Sequence, residues 1–578
     1  MKRGVGFTIA IVTLLILFII NTNFVSATTT TTDNEITTTG NLTLGHKITF
    51  TLGQIIDNLI SEWIGITINL NVTGNISSPI GRAATFTIAA NDSLERSKLQ
   101  ADFVCDGIND EIEIKEAIDT LSDIGGKIIL LEGNFIINSQ INLTDMTNNS
   151  YVTLEGQGDG TVIKIADGNS ISMSAIYVEG RTKSDVVHDT TLRNFKIDGN
   201  KNNVTGEVYN GILIDDSNYV TVEDVTLVDG GGTGTDGNGI IILTSTNIEI
   251  SKIRKGNFVG DTIEIRDSEN VIIKDSYIEK RMEIYTTSNN IIIKGNIFNN
   301  SKLVPSTLDN GETMNNLQIV DNFFDMTSSG SNAAIAPRYV DGLLISGNYF
   351  SVKDSPGVTF PSDEISNVNI VGNTFVVNGT GMGVSIAGDN GTISNNVIKC
   401  VSSADCMGID TTSGTTPENW IISGNSIGGS AAASIAGIRI QVGNNMRIYD
   451  NNIYNFPSAK GIYIKNAGTT NTIIKRNIIT GVGNLLTDEG TGTIIKFNEE
   501  YLTEKSGNAT ITSGSTTVAV THSLSITPSQ NNILVTPLNN LTNSINYWIS
   551  DIGSSTFTIN LNQDPGADVA FAWKIGSY

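Results

Sequence analysis

The chain has 578 residues, and its 35 Lys and Arg against 59 Asp and Glu leave a formal charge of −24. That balance excludes a nucleic-acid binder, because phosphate contacts need basic patches. Charged residues make up 16% and aromatics 6%, Gly numbers 58, and Ile, Thr and Asn abound, which is the profile of an all-β protein with many tight turns.

Lys2 and Arg3 precede the apolar run 5–20, and Val25-Ser26-Ala27 offers small residues to a peptidase. Residues 1–27 therefore read as a signal peptide, which places the protein outside the cell or at its surface. The run falls short of the roughly 20 residues of a membrane span. An uncleaved signal acting as a membrane anchor is the alternative reading. Residues 28–97 read as a Thr-rich linker and a stem, in which Leu52, Ile55, Ile56, Leu59, Ile60, Trp63 and Ile64 follow the spacing of one helical face. The closing NLNVTGNIS (69–77) resembles the shaft segments of viral tail fibres, which are trimers. That resemblance implies a homotrimer held by this stem, and an amphipathic segment packed on the side of the protein is the other reading.

From residue 98 to residue 500 the chain repeats itself. The units NVIIKDSYI (270–278), NIIIKGNIF (290–298), NLQIVDNFF (316–324), GLLISGNYF (342–350) and NVNIVGNTF (367–375) continue as NGTISNNVI (390–398), NWIISGNSI (419–427), NMRIYDNNI (445–453) and NTIIKRNII (471–479). Such a period belongs to stacked solenoids. Each unit reads as strand, corner, strand, and a third strand lies upstream, as in GILID (211–215), GIIIL (239–243) and GIRIQ (437–441). The seventh position is Asn in eight of the nine units, from Asn296 to Asn477. Asn tolerates a left-handed backbone, which suits a bend, and stacked amides can bond along the axis as a ladder. Phe298, Phe324, Phe350 and Phe375 predict an internal aromatic column. Three short strands per turn specify a right-handed, single-stranded parallel β-helix.

The segment 100–137 resembles the opening of the pectate-lyase-like superfamily: an acidic loop, a short amphipathic helix (Ile112, Ile114, Ala117, Ile118, Leu121), Gly-Gly and the first strand. The resemblance implies that this helix caps the solenoid. It specifies fold more than activity, because the superfamily holds lyases, hydrolases, epimerases, tailspikes and adhesins. Cys400 and Cys406 stand close enough to bridge a loop, which leaves Cys105 as a buried thiol. About a dozen Asn-x-Ser/Thr sequons, Asn142, Asn203 and Asn378 among them, are glycan acceptors if the host modifies them.

Residues 506–578 read as a small antiparallel β-sandwich of five or more strands. The segment is similar to H-type lectin modules and to the terminal domains of tail fibres. Tyr547 and Trp548 are the candidates for stacking on sugar rings, whereas Trp573, flanked by alternating apolar residues, reads as core.

Candidate chemistry gathers in the third strand of the early coils. In DTIEIRDSE (261–269), Ile263 and Ile265 point inward and leave Glu264 and Arg266 outside. Asp215 and Asp216 end the equivalent strand two coils earlier, and Asp236, Asp261, Asp267, Arg281 and Glu283 lie nearby. Glu264, Arg266, Asp216 and Glu283 are the catalytic candidates, since carboxylates about 5–10 Å apart serve glycoside hydrolysis. Asp215 and Asp267 are the candidate Ca²⁺ ligands, with Arg266, Arg338 or Arg439 as the cation of a lyase. The Asn-Thr-Asp, Asp-Asp and Gly-His-Gly blocks of polygalacturonases are missing. A polysaccharide-binding surface protein, cleaving its ligand as a lyase or glycosidase or holding it without catalysis, is the expected function. An adhesive spacer or a tailspike-like receptor binder is the competing one.

Overall fold

A computed structural model describes residues 29–32, 35–38 and 84–576, except 122–124, 144–150, 181–187, 208, 235–236, 257, 286–287, 306–311, 329–332, 362–363, 402–404, 412–415 and 431–434. Two units are distinguished, Met1–Gly81 and Arg82–Tyr578. Within the first, Thr29–Thr32 pairs antiparallel with Glu35–Thr38. The expected signal peptide and the stem at 41–77 lie outside the described residues. No described helix is long and apolar enough to cross a membrane.

The second unit is a right-handed parallel β-helix followed by two small antiparallel sheets. One coil shows the plan: Asn289–Lys294 lies in a first sheet, Ile297–Asn299 in a second and Leu303–Pro305 in a third. Each strand pairs in parallel with its counterpart in the next coil, Met314–Val320 in the first sheet and Phe323–Met326 in the second. The third sheet continues through Ile335 to Pro356–Thr359. Alternation decides the facing: Ile291 and Ile293 are buried while Ile292 between them is not. The first sheet begins with Ala84–Ala89 against Gly126–Leu130, so coiling starts ahead of residue 98, and it ends at Ile494–Lys496.

The seventh-position amides form the expected ladder. Asn322 Nδ2 donates to Asn348 Oδ1, Asn348 to Asn373 and Asn373 to Asn396, each at 3.0 Å. Each Oδ1 also accepts the backbone N–H of the preceding rung, and each Nδ2 reaches a backbone carbonyl, as Asn348 does to Ile319 at 2.8 Å. Asn498 adds a last rung, and Ser276 replaces Asn at the top by accepting from the N–H of Ile253. The left-handed bend, however, does not fall on these residues. It falls one residue earlier, on Asp275, Gly295, Asp321, Gly347, Asn395 and Asp450, with φ of 51° to 67°. The physical reason is division of labour: the sixth residue turns the chain, so that the seventh can aim its amide inward.

The phenylalanine column stacks with ring centroids 4.4, 4.9 and 4.5 Å apart. At the N-terminal end, helix Glu111–Asp119 buries Ile114, Ala117 and Ile118, and Leu121 follows them into the core. Ile112 departs from the expected face and is 52% exposed, because the helix phase turns it outward. Cys400 and Cys406 form a disulfide, and Cys105 is a buried free thiol whose pKa is pushed up by burial and by Asp110 and Glu113.

Six strands follow the solenoid. Lys505–Ile511 and Ile533–Pro537 flank Val569–Ile575, and Thr517–Thr521 and Tyr547–Ser550 flank Thr556–Leu561. The two sheets share a core of Ile511, Val520, Phe557, Ile559, Phe571 and Trp573.

Replacing Asn373 by Ala orphans the backbone N–H of Asn348 inside the stack and takes the rung-to-rung bond from its amide, which keeps its backbone carbonyls. It is expected to lower the unfolding free energy by roughly 2–4 kcal/mol. Chemical denaturation checks this, and a loss no larger than that of a surface substitution would show that the ladder is dispensable.

Candidate functional site

The outer face of the third sheet gathers most of the candidate residues. Ile263 and Ile265 are buried inside, which turns Glu264 and Arg266 outward as the alternation requires. Register then sets the neighbours. Glu264 pairs with Glu283 on the next coil, and Ile241 precedes them in the same column. Arg266 follows Leu243 and Asp215 in the adjacent column.

These acids face outward yet are shielded: the Glu264 and Glu283 side chains are only 5% and 7% exposed. Arg266 pairs with Glu264, and its guanidinium lies 4.6 Å from the centre of the Tyr285 ring. Arg281 donates to both oxygens of Asp261, at 2.7 and 3.1 Å. Its Nη2 also stands 2.5 Å from Glu283 Oε2, as an ion contact rather than a directed hydrogen bond. The Asn238 amide donates to Glu264 and accepts from the N–H of Asp261 at 2.6 Å, while its own N–H donates to Asn210 Oδ1 at 2.9 Å. A row of asparagines thus holds the carboxylates in place.

Electrostatics follow from the shielding. Burial raises the pKa of Glu264 above the ordinary 4.5, against the pull of Arg266. Burial likewise raises that of Glu283, against Tyr285 and Arg281. Burial and Glu283 push the Tyr285 phenol up as well. Glu179 pairs in register with Asp215, and Tyr177 lies two residues before Glu179. Burial raises Asp215 too, and Thr244 donates to its carboxylate at 2.9 Å. Two acids on neighbouring rungs with raised pKa values can share protons, one donating to a ligand oxygen while the other accepts.

The structure brings together Glu264, Arg266 and Glu283 but not Asp216. Asp216 and Asp267 both have left-handed backbones, with φ of 46° and 47°, and occupy the corner that leaves the third sheet. Asp216 therefore stands apart from the cluster of Glu264, Arg266 and Glu283 that it was expected to join. Asp215 and Asp267 stand two coils and one column apart, so they do not converge as a Ca²⁺ pair. Among the described residues, ligand atoms of three or more His, Cys, Asp or Glu residues come within 4.8 Å of one another only at Cys105, Asp110 and Glu113. Asp236 lies outside the described residues. Arg439 stands further along the same sheet, and Arg338 bonds through its N–H to Pro305 O.

Tyr177, Glu179 and Tyr285 were missed from sequence, although each sits in or beside a third-sheet strand and parity alone would have placed them outside. In the C-terminal sheets Trp548 is 48% and Tyr547 39% exposed, and Trp573 is core as expected.

No protein-family pattern matches the chain, and no curated protein matches it in sequence. Similar solved structures include a tailspike of E. coli bacteriophage HK620, at 13% identity over 81% of this chain and 90% of that one, with a TM-score of 0.50. Another mutant tailspike of that phage, in complex with a hexasaccharide, is 12% identical over 81% and 89%, with a TM-score of 0.45. The A-module of a mannuronan C-5 epimerase of Azotobacter vinelandii is 18% identical over 68% and 95%, with a TM-score of 0.33.

Because Glu264 and Glu283 hold their protons more tightly folded than unfolded, their ionisation opposes folding. Stability should fall as pH rises from 4.5 through their raised values. Urea unfolding across a pH series checks this, and a Glu264→Gln/Glu283→Gln chain should lose that part of the slope. An unchanged slope would mean that these acids titrate normally. At the level of fold, the likeness to the HK620 tailspike agrees with the described solenoid being a right-handed parallel β-helix.

Proposed function

We propose that this protein works outside the cell or at its surface and binds polysaccharide along the third sheet, over Glu264 and Glu283. The observation that carries the reading is the pair itself. Two shielded carboxylates meet in register beneath two arginines and a tyrosine. Nothing in the packing of a spacer calls for buried acids there, since each costs desolvation unless it is paired. A sugar chain offers what the cluster can use: hydroxyls for the carboxylates and ring oxygens for the guanidinium groups.

The raised pKa values favour a cleaving role over mere retention. A carboxyl that burial makes slower to ionise keeps a proton it can donate to a glycosidic oxygen, and an ionised neighbour can accept a proton or stabilise positive charge. Arg266 and Arg281 hold the acids in position. Lyase chemistry would instead draw on Arg266 as the cation beside a uronate, with Ca²⁺ supplied from outside the group described above. The 1–27 signal, a trimer through the stem, an anchor in place of cleavage and glycans on exposed sequons belong to the same reading, and the sequence features alone support them.

The purified chain incubated with a panel of polysaccharides, with and without Ca²⁺, tests this. Reducing ends and the absorbance of unsaturated uronides are followed. Glu264→Gln is expected to cut product formation at least about 100-fold, the scale of a general acid. Retention of a polymer without cleavage would leave a binding protein, and neither retention nor cleavage of any polymer would overturn the reading. Trp548→Ala should weaken sugar retention several-fold without shifting the melting temperature, because the ring is half-exposed. Unchanged retention would remove the C-terminal sheets from the binding surface.

A further inference from the structure

The column that holds Glu264 and Glu283 continues down the third sheet through Val304, Ala336, Thr359 and Ser385 to Asp410, Arg439 and Tyr463. The four intervening residues carry no charge. At the far end the charge pattern differs from the near end. Arg439 donates to both oxygens of the buried Asp410, at 2.8 and 2.7 Å, and Gln441 donates to the same carboxylate at 3.0 Å. Two further cations gather beside this pair. Lys460 Nζ lies 4.0 Å from the centre of the Tyr463 ring, and Lys465 Nζ donates to Gln441 Oε1 at 3.2 Å. Neither lysine has a carboxylate within ion-pair distance among the described residues. The Tyr463 hydroxyl donates to Glu489 at 3.1 Å.

Three cations, Arg439, Lys460 and Lys465, gather here with two carboxylates, Asp410 paired to Arg439 and Glu489 bonded to the hydroxyl of the half-buried Tyr463, in a chain of charge −24. The arrangement is built rather than accidental. Asp410 fixes the Arg439 fork by a two-point bond, the Tyr463 ring holds the Lys460 ammonium, and Gln441 ties Asp410 to Lys465. Near the opposite end, Asp261, Glu264 and Glu283 outnumber Arg266 and Arg281. One face thus presents an acid-rich cluster and a cation-rich cluster in one column, five strand spacings or roughly 24 Å apart.

We propose that Arg439, Lys460, Lys465 and Tyr463 form a second subsite that takes the carboxylate of an acidic sugar unit, so that one polyuronate chain lies along the third sheet and engages both clusters. This rests on the polysaccharide reading of the Glu264 face and adds the ligand's charge and its direction along the solenoid. Two weak contacts on one polymer reinforce each other, so long chains bind tighter than short oligomers that reach only one cluster.

The test is equilibrium binding of the full chain to polygalacturonate, to short galacturonate oligomers, to dextran sulfate and to neutral dextran. It compares the unaltered protein with Lys460→Gln/Lys465→Gln. Both lysines lie outside any ion pair among the described residues, so the variant should fold, and an unchanged melting temperature confirms it. A second variant, Asp410→Asn/Arg439→Gln, removes the buried pair together and leaves no uncompensated charge. Each variant is expected to weaken polygalacturonate binding about tenfold, to flatten its dependence on salt, and to leave neutral dextran unaffected. Unchanged polygalacturonate binding by the lysine variant overturns the subsite while leaving the Glu264 face standing, as does binding of neutral dextran alone by the unaltered protein. A loss with dextran sulfate and none with polygalacturonate overturns the carboxylate assignment in favour of sulfate esters. Failure of the unaltered protein to bind any polymer, neutral ones included, overturns the polysaccharide reading and the subsite with it.

Discussion

The buried asparagine ladder is the constraint on which the rest of the second unit depends. Each amide from Asn322 to Asn477 donates to the next rung and to a backbone carbonyl, and its oxygen accepts two bonds from the rung before. A one-residue slip of any coil would leave such groups unpaired in a dry interior, at a cost of about 1–3 kcal/mol each. Register is therefore fixed at this corner, and every other column inherits it. The phenylalanines stack because the residue two places after each Asn must align, and Glu264 faces Glu283 because the third sheet is in the same register. A second column, Ser217, Ser245, Ser268 and Ser288, does similar work at the corner just after the candidate site, each backbone N–H donating to the next hydroxyl.

The candidate site departs from this regularity in a specific way. The outward residues that flank it in the same column, Leu213 and Ile241 before it and Val304 after it, are apolar. At Glu264 and Glu283 the sheet accepts acids that burial makes reluctant to ionise, and it compensates with arginines laid across them. The rigid stack can hold such a group because neither strand can move without disturbing the ladder. Pre-organisation of this kind is what a chemical or binding site needs from its scaffold.

Much of the fold was legible because solenoid rules repeat. Period, alternation, the Phe column and the cap helix all follow from patterns visible in single units, and so did the facing of Glu264. Two readings missed for a common reason. Asn was credited with the left-handed bend because it tolerates one, yet in these units the sixth residue takes it, whether Gly, Asp, Asn or Arg476. Asp216 was grouped with Glu264 because the two seemed close in the coil plan, yet the same backbone geometry carries Asp216 around the corner. Corners are where one residue decides direction, and residue type alone does not say which residue it is. The serine column was invisible because Ser245 and Ser268 look like ordinary turn residues until the coils are stacked. Tyr177 and Glu179 fall outside the nine clear units, so nothing in the repeat marks their strand as part of the third sheet, the step that parity needs.

The ladder's spacing also bears on how the chain reaches this form. Rung partners such as Asn322 and Asn348 lie 26 residues apart, so the decisive contacts of this large β protein are short-range in sequence for its size. Contact order, which slows most all-β folds, is kept low by stacking each coil only on its neighbours. Once two adjacent coils have paired, each further coil adds on a ready template, and assembly can proceed by zipping rather than by a search among distant strands.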